Sequence, residues 1–198
     1  MWKLALAPAV YTPLNSAILA EIAALRGPGV LADGESWQSP YNLHRREPLR
    51  PLVDAIQAAV HSVLTFLCIA SEGLAITGCW ATVNAGGRAH PVHTHPNNFL
   101  SGVYYVQVDA GADTLNFHDP RPQTSLVRPP VTELTSANTA QVVVRVAVGT
   151  LLLFPSWLAH SVDANASPRA RVSVSFNLMF TRFTETLAQP LWGAEDAG

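Results

Sequence analysis

The chain has 198 residues, 48% hydrophobic and only 13% charged, with a formal net charge of −2. That length and apolar content suffice to bury one sizeable core and argue for a single domain over residues 1–198. The weak, slightly acidic charge excludes the concentrated basic face that nucleic acid or an anionic membrane would need, and leaves a small molecule or a peptide as the expected substrate.

The opening stretch MWKLALAPAV is apolar but short, and Pro8 and Pro13 interrupt it. A signal peptide needs a longer apolar region with a small-residue cleavage site, and no segment reaches bilayer-spanning length, so a cytoplasmic protein is the expectation. Thr12-Pro13 reads as a helix start, with Thr as N-cap and Pro in the first turn. Leu14, Ile18, Ile22 and Leu25 follow at helical spacing, and Gly27-Pro28-Gly29 ends the segment. Residues 30–47 read as loop. A second helix starts near Pro48, with Leu49, Leu52, Val53, Ile56, Val60, Val63, Leu64 and Leu67 as a continuous apolar stripe that would pack on a sheet. Residues 1–72 are thus the helical part. Cys68 and Cys79 lie in apolar runs without a C-x-x-C pair, which predicts reduced core thiols.

After Gly73 the pattern changes. Residues 74–84, 99–108, 114–119, 141–148, 150–155 and 171–180 are rich in Val, Thr, Tyr and Phe and are separated by Gly, Pro, Asn or Asp. Short strands in series without intervening helices predict a mainly β antiparallel sandwich or barrel over 73–182, with the two helices on its sheet. No internal repeat is visible. Residues 120–140, rich in Pro, Thr and Ser, read as a long loop with room for one short strand. Exposed sheet edges and low charge are compatible with a homodimer.

His93 and His95 are one residue apart in "HPVHTHP". On an extended chain, residues i and i+2 face the same way, so two imidazoles are offered to one ion. In "GTLLLFPSWLAHSV" a strand and a turn deliver His160, a third candidate ligand. His44 and His61 read as structural or exposed, His118 is left open, and His90 reads as an entrance residue rather than a ligand. In the last strand Arg171, Ser173, Ser175 and Asn177 share the face opposite Val172, Val174 and Phe176. A polar face of that kind lines either solvent or a cavity. In a cavity, Arg171 and Ser173 would form a receptor for a carboxylate.

These motifs resemble two jelly-roll groups. Gly87 and His93-Thr94-His95, with Gly149, Pro155 and His160, are similar to the two halves of the cupin metal motif. Phe99 and Leu100 stand where a cupin places glutamate, and Trp157 where it places glycine. The chain more closely resembles the Fe(II)/2-oxoglutarate-dependent oxygenases, in which a His-x-Asp/Glu pair and a distal His precede, by about ten residues, a basic residue for the oxo acid. "GCWATVN", "HTHPNNFLSGVYYV", "FHDPR", "LLLFPSWLAHSV" and "RVSVSFN" resemble an uncharacterised bacterial branch of that family, and "SWQS" at 36–39 fits it too.

The resemblance implies a double-stranded β-helix, Fe(II) as metal and 2-oxoglutarate as cosubstrate. His93, His95 and His160 would be the metal ligands, Arg171 and Ser173 the cosubstrate receptor, with no other catalytic side chain. Trp80, Asn84 and Tyr105 (or Tyr104, depending on strand phase) would line the cavity. One departure stands out: His95 occupies the carboxylate position, which gives an all-nitrogen set that suits Fe, Ni, Zn or Cu. Asp119 is the alternative source of a carboxylate, or simply the cap of a turn. The competing functions are a cupin-type dioxygenase or isomerase without 2-oxoglutarate, and a non-enzymatic metal-binding sensor barrel.

Overall fold

The computed structural model describes residues 1–70, 73–121, 123–126, 129–135 and 137–182. Two helices, α1 (Pro8–Arg26) and α2 (Arg50–Phe66), are flanked by β1 (Trp2–Ala5) and β2 (Ser36–Gln38). Eight strands follow: β3 (Leu74–Asn84), β4 (His90–His93), β5 (Leu100–Gln107), β6 (Thr114–His118), β7 (Gln141–Arg145), β8 (Thr150–Pro155), β9 (His160–Val162) and β10 (Arg171–Phe180).

The first helix begins earlier than Thr12. Pro8 takes the first turn, where its missing N–H costs nothing, and Pro13 is carried inside the helix. Gly27, at φ 75°, closes it behind Arg26. The stripe of α2 is buried from Leu52 to Leu64, but Leu67 lies past the helix end and is exposed. Cys79 is a core thiol as expected; Cys68 is exposed, in the turn that closes α2 at φ 54°. Residues 36–38 are not loop but β2, an edge strand on β3, and β1 adds the opposite edge on β8. Between 120 and 140 the described residues hold a four-residue helix, Gln123–Leu126, in place of a strand.

The strands form two antiparallel sheets, ordered β1-β8-β5-β10-β3-β2 and β4-β9-β6-β7. From β3 onward the chain passes back and forth between them, which is the winding of a double-stranded β-helix. Strand alternation splits the core in two. One layer packs Leu14, Ile18, Leu52, Ile56 and Val60 of the helices on Tyr104, Leu151, Leu153 and Phe176 of the larger sheet. The other fills the space between the sheets with Val103, Tyr105, Leu115, Phe117, Leu152 and Phe154. Among the described residues no helix is long and apolar enough to cross a membrane.

The helix layer is clasped by one buried polar pair. Tyr104 Oη donates to Asn15 Oδ1 at 2.7 Å, and Asn15 Nδ2 donates to the Val106 carbonyl at 2.9 Å. Tyr104→Phe leaves the Asn15 oxygen buried without its donor, and is expected to cost about 1–3 kcal/mol in urea unfolding. Ligand binding between the sheets should be unchanged, because Tyr104 faces the helices.

Candidate metal centre and oxo-acid pocket

β4 and β9 pair so that His93 stands directly opposite His160, with a register irregularity between His90 and His93. Their ring centroids are 4.3 Å apart. The assigned strand ends at His93, and His95 follows just ahead of the turn at 96–97. That turn is fixed from beneath. The His95 backbone N–H donates to the Ser156 carbonyl at 3.0 Å, the Ser156 N–H donates to the Phe99 carbonyl at 3.2 Å, and the Ser156 hydroxyl donates to the Asn98 carbonyl. The His95 ring lies 5.1 Å from each of the other two. One ligand nitrogen from each of the three imidazoles lies within 4.8 Å of the others.

Backbone carbonyls orient two of the rings. His93 Nδ1 is 2.9 Å from the Pro91 carbonyl, and His160 Nδ1 is 2.9 Å from the Leu158 carbonyl. A carbonyl only accepts, so each Nδ1 carries the hydrogen and Nε2 is the atom turned to a ligand role. Burial, reinforced by the His93 ring, holds the His95 pKa near 4. Burial also brings His160 to about 4, opposed by the Leu158 carbonyl and aided by His93, His95 and His118. Both rings are therefore neutral at pH 7, as metal ligation requires.

The same shifts set the acid limb of stability. Between pH 6.5 and about 4 these two rings bind fewer protons in the folded chain than in the unfolded one. The metal-free protein should keep this stability above pH 6.5, lose it as the pH falls toward 4, and then level off. Urea midpoints measured against pH should show that slope, and His95→Gln with His160→Gln should flatten it.

Between the sheets a cavity of about 80 Å³ runs inward from the three histidines. It has room for several waters or one small acid, but not for a large substrate. Trp80, Asn84, Tyr105, Arg171 and Ser173 line it. Arg171 opens β10 opposite Asn84, and Ser173 stands between Thr82 and Tyr105. Arg171 is only 3% exposed, and its Nη1 makes no hydrogen bond. Burial pulls its pKa down while Tyr105 and Asp163 pull it up, and a guanidinium so placed stays charged.

Other expectations resolve as follows. Asn177 is not among the lining residues: its Oδ1 accepts from Ser101 Oγ at 2.8 Å, beside the irregularity at Asn177/Leu178. Ser175 lines the cavity from the same face. Tyr104 takes the helix side, which settles the strand phase for Tyr105. His90 lines the cavity, His118 pairs with Ser161 at 2.9 Å outside it, and His61 is exposed on α2. The Asp119 carboxylate is held by Arg121 at 2.6 Å in a turn, so it supplies no ligand. Sequence reasoning passed over Thr82, which the Trp80, Thr82, Asn84 alternation of β3 already signalled. It also missed Leu115, Phe154 and Val162, whose places depend on how the sheets face each other.

The β-helix thus carries three clustered imidazoles at its mouth and a buried arginine inside, an arrangement that can hold a metal ion and an acid side by side. A family model described as "Putative 2OG-Fe(II) oxygenase" matches residues 78–177, half of the chain and nearly all of the strands that build the site. The chain belongs to this family and is a 2-oxoglutarate-dependent Fe(II) oxygenase.

Solved structures agree on the fold. A prolyl-4-hydroxylase from Pseudomonas putida is similar at TM-score 0.60 and 14% identity, over 90% of this chain and 91% of that one. HygX from Streptomyces hygroscopicus, solved with nickel and 2-oxoglutarate bound, is similar at TM-score 0.63 and 12% identity, over 90% and 82%. The epimerase SnoN, in complex with Fe3+, alpha ketoglutarate and nogalamycin RO, is similar at TM-score 0.61 and 14% identity, over 90% and 78%. No curated protein matches the chain.

Proposed function

We propose that His93, His95 and His160 bind the Fe(II) and that Arg171 and Ser173 hold the far carboxylate of 2-oxoglutarate. The substrate, a small molecule or a peptide side chain, would be hydroxylated at the mouth of the cavity. The observation that carries this reading is the buried Arg171 guanidinium in the same cavity as the triad, one nitrogen of which has no hydrogen-bond partner among the described residues. A lone charge of that kind is expensive to bury unless a ligand completes it.

The donor set fits the metal. Three imidazole nitrogens suit a borderline divalent ion, and without a carboxylate the ion keeps its full charge toward a dianionic oxo acid. Fe(II), with 2-oxoglutarate and oxygen, supplies the oxidation of a substrate C–H bond, releasing succinate and carbon dioxide. The chain's own part is orientation and exclusion of water. The Pro91 and Leu158 carbonyls fix the imidazole rings, Phe154 packs on His160 with centroids 4.7 Å apart, and Arg171 fixes the far end of the acid.

Calorimetric titration of the Fe(II) protein, kept free of oxygen, should give one 2-oxoglutarate per chain. Ser173→Ala should weaken that binding by about tenfold, the loss of one charge-assisted hydrogen bond. Stoichiometric metal with no heat on adding the oxo acid would defeat the assignment.

A further inference from the structure

The residues lining the cavity carry two polar atoms that have no partner among the described residues. Arg171 Nη1 and Asn84 Oδ1 are both buried and both lack a hydrogen bond. Their residues are Cα partners across the β10–β3 pairing and line the same space, with Asn84 only 1% exposed. A buried donor and a buried acceptor on adjacent strands ordinarily bond each other, and these do not. Buried polar groups are so regularly satisfied that two orphans in one cavity call for a ligand that satisfies both.

An ionised carboxylate has no proton to give, so it cannot satisfy the Asn84 oxygen as it stands. An amide, however, has nearly the same shape after a 180° turn about its last bond, and that turn exchanges Oδ1 for the two donors of Nδ2. Resting on the reading of Arg171 as the oxo-acid receptor, we propose that Asn84 is a third donor to the far carboxylate of 2-oxoglutarate. It is thereby the residue that makes the receptor select a dianion. Among the described residues the Asn84 side chain has no hydrogen-bond partner, while its backbone carbonyl accepts from Asn165 Nδ2 at 3.1 Å. The side chain is therefore free to turn. Arg171, Ser173 and Asn84 together offer the carboxylate donors from two paired strands. The carboxylate accepts at about four lone-pair positions. An acidic side chain at position 84 would fill the receptor from within, pairing with Arg171 in place of the ligand.

Calorimetric titrations of the oxygen-free Fe(II) protein test this with two probes. 2-Oxoglutarate carries the far carboxylate; 2-oxobutyrate shares the oxo-acid end and lacks it. Asn84→Ala should weaken 2-oxoglutarate about tenfold to a hundredfold, the range for a hydrogen bond to a charged group. It should leave 2-oxobutyrate within about twofold. Asn84→Asp, nearly identical in shape, should weaken 2-oxoglutarate by more than Asn84→Ala does while melting no lower than wild type. Wild-type affinity for 2-oxoglutarate in both variants would overturn the proposal. So would an equal loss for both acids, which would mark Asn84 as a fold-holding residue. A wild-type protein that takes up metal but binds no 2-oxoglutarate would instead sink the receptor reading itself, before any variant is made.

Discussion

His160→Ala is expected to strip the metal from the protein. Losing even an outer-shell partner of a metal ligand costs about 10- to 100-fold in affinity, so losing the ligand itself should cost more than about 100-fold. Elemental analysis after dialysis should find one metal ion per wild-type chain and almost none in the variant. 2-Oxoglutarate turnover should fall at least in proportion. His160 also packs against Phe154 and Phe117, so some stability will be lost with it. His118→Ala separates the two effects. His118 lies close enough to His160 to shift its pKa, yet it is tied to Ser161 outside the cavity. That variant should keep its metal. If it loses the ion as readily as His160→Ala, the triad is misassigned.

Arg171→Met is expected to separate function from stability. The arginine is buried in the cavity wall with one nitrogen that has no partner among the described residues. A buried charge carries a desolvation cost that an apolar side chain of similar volume does not. The metal-free variant should therefore melt at or above the wild-type temperature. The same change removes the main partner of the far carboxylate, so the KM for 2-oxoglutarate should rise at least about 30-fold, since truncating one partner of a buried charge pair costs about 2–5 kcal/mol. Metal content should stay unchanged, because the arginine is not a ligand. A variant that melts far below wild type would mean that Arg171 holds the fold together and is no receptor.

The sheet strands were legible because their residues alternate and their turns are punctuated; β3, β8 and β10 fall where β-branched runs place them. The triad was legible because the H-x-H pair and the strand–turn–His160 segment are each local patterns. Less was visible where tertiary pairing decides. β1 and β2 are edges of four and three residues whose partners lie far off in sequence, so neither is long enough to carry a strong period of its own. Pro13 invited a helix start because it suits a first turn, but Pro8 suits one equally and comes first. Asn177 shares a strand face with Arg171, yet its bond to Ser101 depends on the neighbouring strand, which no single-strand pattern reports. The orphaned Asn84 oxygen was invisible for a related reason: a residue type shows what it offers, not what goes unanswered.

Anomalous diffraction at the iron edge, from crystals of the Fe(II) protein soaked with 2-oxoglutarate without oxygen, bears most directly on the site. One peak should lie between the imidazoles of His93, His95 and His160, with the oxo acid reaching inward to Arg171. Iron held away from those three rings, or the acid bound with its far carboxylate clear of Arg171, would contradict the assignment.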